Sequence, residues 1–281
     1  MKQRARYGVV RIGAAVLMLL MLGTLAAAQS PTLKNVELCN GVDRSSPDRQ
    51  IMGCTALIDS SSASAKSRAI AYNNRGNAYI AKGDYDRAIL DYDESIKLNA
   101  DYARAFNNRG VAYQKKGEYD RAIKDFDEAI RLNPNNASAF ANRAETFRST
   151  GEYDRSVRDY GEAIRLKPTL EAVWNGRCWV RAIMGELEAA LADCNEALRL
   201  ERSAATLDSR GLIHLKMGKW DWAIDDYSSA LRLDPKLAGS LYGRGLAKLR
   251  AGDTTGGNAD ISAAKGIESN IVEQFAHYGV R

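Results

Sequence analysis

The sequence predicts an all-α solenoid of stacked helix-turn-helix units, and three observations carry that prediction. The chain repeats itself: "AYNNRGNAYIAKGDYDRAILDYDESIKLN" returns as "AFNNRGVAYQKKGEYDRAIKDFDEAIRLNP" and "AFANRAETFRSTGEYDRSVRDYGEAIRLKP", with three weaker copies after them. One arginine holds the same place in every copy, as Arg75, Arg109, Arg143, Arg177, Arg210 and Arg244, in steps of 34, 34, 34, 33 and 34. Within a copy, apolar residues recur at three and four spacings on both sides of a glycine. Phe106, Ala112 and Tyr113 precede Gly117, and Tyr119, Ala122, Ile123, Phe126, Ala129, Ile130 and Leu132 follow it. Pro134 then stops the second helix and opens the next copy. Two short helices cannot bury their apolar faces alone, so the units must stack.

Gly110, Tyr113, Ala122, Phe126, Ala129 and Pro134 stand where the tetratricopeptide repeat (TPR) family pattern has Gly, Tyr, Ala, an aromatic residue, Ala and Pro. The chain resembles that family over roughly residues 69–268. The resemblance implies a right-handed superhelix of about six repeats, with an incomplete repeat before them and a cap after them.

Taken in order, the first 28 residues read as a secretory signal peptide: Lys2, Arg4, Arg6 and Arg11, then an apolar run, then small residues ending at Ala28. The run is about sixteen residues, short of the roughly 20 a spanning helix needs, so cleavage is expected, with a retained anchor as the alternative. Residues 29–68 read as a partial helical hairpin. The units follow at 69–102, 103–136, 137–170, 171–203, 204–237 and 238–268, the last weakened by Gly256 and Gly257 in its second helix. Residues 269–281 are expected to cap the last apolar face. The whole chain carries 40 basic and 35 acidic side chains, but without the signal segment it has 36 against 35. That balance argues against nucleic acid as a partner and, after cleavage, no membrane insertion is expected. The expected location is outside the cytoplasm, in a bacterial periplasm.

One departure from the family pattern recurs. Each unit has Arg where a large aliphatic residue is usual, and each has Asp sixteen residues later: Asp91, Asp125, Asp159, Asp193, Asp226 and Asp260. Across a hairpin turning midway, the two positions face each other. A planar guanidinium fits a carboxylate bidentately, so one structural ion pair per unit is expected.

The cysteines follow from register and compartment. Cys178 stands where other units have Gly76 or Gly110, and Cys194 where they have Tyr92 or Phe126, on the inner faces of one helix pair. Cys39 and Cys54 flank the turn of the partial hairpin in the same way. In an exported chain this pattern favours local disulfides 39–54 and 178–194 over free or redox-active thiols.

Little in the chain suggests catalysis. His214 and His277 lie in no metal-spaced cluster, and His214 occupies the place of Tyr79, Tyr113 or Phe147, a packing position. No catalytic residue, metal or cofactor is expected. The resemblance implies instead that the concave face of the first helices holds a protein or peptide whose identity stays open. Mapped onto this chain, that groove is Asn73, Asn77, Asn107, Val111, Gln114 and Lys115 in the first half, rich in amides. In the second half it is Asn175, Trp179, Ile183, Leu212, Leu215, Tyr242 and Leu246, apolar and aromatic. A clamp for acidic chaperone tails is not expected: Asn77 and Asn108 match, but Asn73, Ser138 and Asn142 replace its three basic members. The alternatives to a binding scaffold are a structural part of an envelope assembly using the convex face or termini, and a thiol-redox protein.

Overall fold

The computed structural model describes residues 31–41 and 46–280; the expected signal segment lies outside the described residues. Among the described residues every regular element is a helix. The partial hairpin is α1 (Pro31–Cys39) and α2 (Pro47–Ile58). Six units follow: α3 (Ala65–Ala81) with α4 (Tyr85–Leu98), α5 (Ala103–Lys115) with α6 (Tyr119–Leu132), and α7 (Ala137–Thr150) with α8 (Tyr153–Leu166). The second three are α9 (Glu171–Met184) with α10 (Leu187–Leu200), α11 (Ala204–Lys216) with α12 (Trp220–Leu233), and α13 (Ala238–Arg250) with α14 (Thr254–Ile267). A short α15 (Ile271–His277) ends the chain. Ser64 caps α3 by accepting from the Ser67 amide, so this helix starts four residues before the repeat boundary at 69. The single 33-residue step falls where α10 and α11 are joined by residues 201–203.

Each hairpin turns on a glycine in the left-handed region, from Gly83 to Gly252, with φ between +73° and +95°. Inside the pair, a ring fills the space left by a second glycine: a Cβ on Gly76 would lie 2.6 Å from the Tyr92 ring, and one on Gly110 2.7 Å from Phe126. In the fourth unit that Gly–aromatic pair is replaced by Cys178 and Cys194, joined as a disulfide with Cα atoms 5.4 Å apart. Cys39 and Cys54 are joined likewise, at 4.5 Å. In the sixth unit Gly257 is a packing residue as well as a helix weakener. A Cβ there would meet Leu249 at 2.7 Å and the Gly245 carbonyl at 2.9 Å, so its absence lets α13 and α14 close together.

Successive first helices, α3, α5, α7, α9, α11 and α13, touch one another, whereas successive second helices do not pack to a comparable extent. The array therefore curves with the first helices inside.

The C-terminal segment covers apolar side chains of the last unit from the inner side, where Ile271 and Phe275 share a cluster with Leu241, Tyr242 and Ala264. α15 packs on α13, a first helix, rather than over α14 at the end of the array. The outward side of α14 presents Thr255, Asn258, Ala259, Ser262 and Ala263, all exposed and small or polar, so no cap is needed there.

Candidate functional site

The inner face is held in register by the arginines. Nε and Nη2 of each donate to the two carboxylate oxygens of the aspartate sixteen residues on, at 2.6 to 2.9 Å in all six units. All six aspartates are buried. The third arm, Nη1, crosses to the second helix of the preceding unit: Thr55 for Arg75, Asp93 for Arg109, Asp127 for Arg143, Asn195 for Arg210 and Ser228 for Arg244. For Arg177 that place is Gly161, where a Cβ would lie 3.6 Å from Nη1. Five of the six guanidinium groups thus tie three helices together, and Arg177 ties two.

In the second half of the array a further basic side chain joins the aspartate. Arg181 and Lys248 reach Asp193 and Asp260 at 2.7 and 2.9 Å, and His214 Nδ1 lies 3.0 Å from Asp226. Burial pushes the Asp226 carboxyl up, but the adjacent His214 ring and the hydrogen bonds from Arg210 outweigh it and hold the group below the ordinary carboxylate range. In the first half the same column is Tyr79, Tyr113 and Phe147, covered by Arg87, Arg121 and Arg155 at 4.5, 3.9 and 3.9 Å from the ring centres.

On this frame, the first half of the inner face carries a chain of asparagines. Asn142 donates to Asn107, Asn107 to Asn108, Asn108 to Asn73, Asn73 to Asn74 and Asn74 to Asn40, at 3.0 to 3.3 Å. Asn108 also donates to Asn77, whose oxygen accepts from the Tyr92 hydroxyl at 2.8 Å. Gln114 donates to Thr146 at 3.1 Å, Val111 is half-buried, and Lys115 is exposed. Asn73 is fully buried, which corrects its expected role as a surface contact: it links the units beneath the face. A cleft of about 620 Å³ opens beside the chain at Asn107, Asn108, Asn136 and Ser138.

Midway along the array, a second cleft of about 480 Å³ is lined by Glu145, Arg148, Tyr160, Glu171, Asn175, Trp179 and Asp208, among others. Arg148 pairs with Glu145, and Glu171 accepts from Ser203 and Thr206. The Asn175 oxygen is buried without a hydrogen-bond partner. Burial pushes the Asp208 carboxyl up to about 6, against the hydrogen bond that Ser240 donates to it at 2.5 Å. Sequence reasoning missed Asp208, although it is the charged member of a column otherwise made of Asn73, Asn107, Ala141, Asn175 and Tyr242.

The second half of the expected groove is occupied by the chain's own end. Leu212, Leu215 and Tyr242 are buried in one apolar cluster with Ile271 and Phe275, and Trp179 and Leu246 pack against it. Phe275 stands edge-on to Tyr242 at 4.8 Å, and Tyr278 to Trp179 at 5.0 Å. The Lys216 ammonium donates to the carbonyls of Ala182 and Tyr278 at 2.6 and 2.9 Å, and its burial pushes the pKa down. Ile183 lines a cavity beside His277 and Tyr278. These residues are therefore an intramolecular contact, not an open surface, because Ile271, Phe275 and Tyr278 are apolar side chains with no core of their own. The spacing of those three residues was the available signal. Among the described residues no three His, Cys, Asp or Glu side chains converge as a metal-binding group, and no helix is long and apolar enough to cross a membrane.

Two family models described as "Tetratricopeptide repeat" match residues 103–136 with 209–237, and 126–158, and one described as "TPR repeat" matches 76–117. No curated protein matches the chain. Among solved structures, the chain is similar to a tetratricopeptide repeat protein from Parabacteroides merdae (TM-score 0.66, 16% identity, 89% of this chain and 99% of that one). It is similar also to pilF from Pseudomonas aeruginosa (0.65, 17%, 80% and 98%). A third is YrrB, described as a TPR protein with an unusual peptide-binding site (0.53, 16%, 66% and 97%). At these identities the likeness is one of fold.

Proposed function

Because the chain is a tetratricopeptide-repeat protein whose inner face carries ordered amides, we propose that it is a scaffold that holds a protein or peptide along that face. The observation that carries the reading is the asparagine chain. An amide has two N–H donors and two oxygen lone pairs, so bonds within the chain leave groups to spare for the backbone of a bound polypeptide. Their mutual bonds fix the side chains beforehand, which lowers the entropy lost on binding. YrrB, which shares the fold, is a protein described as having a peptide-binding site.

The N-terminal segment and two cysteine pairs support a location in the cell envelope, after cleavage behind Ala28. Amino-terminal sequencing of protein purified from the native envelope tests this: a chain still beginning at Met1 would argue for the anchored form.

Affinity capture from the same fraction tests the binding face. Asn107→Ala with Lys115→Glu should lose the partner, while Trp222→Ala, on an exposed side chain of α12, should keep it. The reverse pattern would favour an assembly role through the convex face.

A further inference from the structure

We propose that residues 269–280 are a displaceable internal occupant of the inner groove of the last three units, and that this half takes, in their place, an amphipathic helix bearing two aromatic side chains three positions apart. The inference rests on the reading that the inner face binds polypeptide, but it concerns the half of the groove that lacks the asparagine chain.

The position of the segment argues against a plain cap. It leaves the polar end of α14 uncovered and runs back over the first helices, from Tyr242 on α13, past Lys216 on α11, to Trp179 on α9. The fit is loose. A cavity of about 230 Å³ remains on one side, between Leu215, Trp220, Leu246 and Val280. Another of about 440 Å³ remains on the other, between Tyr153, Ile183 and Tyr278. A seven-residue helix is too short to persist in water without its groove, so the segment's order comes from docking. Docking rests on few groups: Ile271 and Phe275 are buried and Tyr278 half-buried, while Val272, Glu273, Ala276 and His277 are exposed.

Those groups define the partner. Phe275 enters beside Tyr242, Tyr278 lies against Trp179, and Gly279, at φ +77°, turns the backbone so that the Tyr278 carbonyl meets Lys216. An external helix needs the same two rings and a carbonyl at its C-terminal end. Its apparent affinity is reduced by the fraction of time the groove is closed.

The test uses the full chain and a fluorescein-labelled synthetic peptide, SNIVEQFAHYGVR, as probe. Phe275→Ala with Tyr278→Ala should bind the probe at least about tenfold more tightly than wild type, and the gain should vanish when the probe carries the same two alanines. Equal binding to both proteins, or no binding to a variant that keeps the wild-type circular dichroism spectrum, would overturn the proposal. Hydrogen exchange on the unaltered protein gives a second reading that needs no variant. The amides of 272–280 should exchange at least about a hundredfold faster than those of α11 and α13; equal protection would show a fixed core element. Loss of partner capture in Asn107→Ala with Lys115→Glu reports on the other half, so either reading can fail alone.

Discussion

One residue column explains a buried hydroxyl that has no partner. Four of the second helices carry a ring in one column, Tyr92, Phe126, Tyr160 and Tyr227, and each is matched to the residue fifteen positions earlier. Tyr92 donates to Asn77 and Tyr160 to Glu145, both at 2.8 Å, while Phe126, which has no hydroxyl, faces Val111. At Tyr227 the residue in that column is Leu212, and the hydroxyl is buried and unpaired. Removing an unpaired buried group relieves a desolvation cost, so Tyr227→Phe should leave stability unchanged or raise it by about 1 kcal/mol. Tyr92→Phe and Tyr160→Phe should each lower it by about 1 kcal/mol in urea titrations, because each loses a bond. Asp208 carries a different cost. Its carboxyl is ordinary when unfolded and pushed up to about 6 when folded, so the folded state binds the extra proton between roughly pH 4 and 6. Stability should be greatest at the acid side of that window and fall as pH rises through it. Asp208→Asn should flatten this dependence and be more stable at pH 7, on the order of 2 kcal/mol; thermal melts from pH 4 to 7 measure it. The pairing of Arg with Asp could be read from spacing alone. The meaning of Asp208 could not, since it depends on how deeply the column sits between α9 and α13.

At the scale of the helix pair, the fourth unit exchanges one form of interlock for another. The first, second and fifth units close with a ring over a glycine; α9 and α10 close with a bond between Cys178 and Cys194. The bond spans a loop of 16 residues. Replacing both cysteines by alanine should therefore cost about 3 kcal/mol, on the chain-entropy account. The faster hydrogen exchange should be confined to α9, α10 and their neighbours, because each unit touches only the next. The helices themselves were legible, since period, glycine turns and proline stops all point the same way. The path of residues 269–280 was not: "NIVEQFAHYGV" shows an amphipathic helix, but sequence alone does not say which face of a solenoid it meets.

Across the whole molecule, coupling between units runs through the third arm of each arginine. The junction of the third and fourth units lacks it, because Gly161 offers Arg177 no side chain. Gly161→Asp would supply the carboxylate that Asp93 and Asp127 supply elsewhere and would remove a helix-interior glycine. It should add about 1 kcal/mol and sharpen the unfolding transition. A drop in stability would mean that the Arg177 arm is already satisfied where it lies.

The asparagine chain also gives the molecule a direction. Every link points the same way, from Asn142 at one end to Asn40 at the other, so no amide between those two ends can turn over without breaking a bond on each side of it. The row is a wire of aligned dipoles, with an acceptor left over at its Asn142 end and donors left over at its Asn40 end. A helix bound along it carries a net dipole that agrees with the row in one orientation and opposes it in the other, whereas the alternating dipoles of an extended strand nearly cancel. The scaffold would thus select which end of a bound helix comes first before any side chain is read.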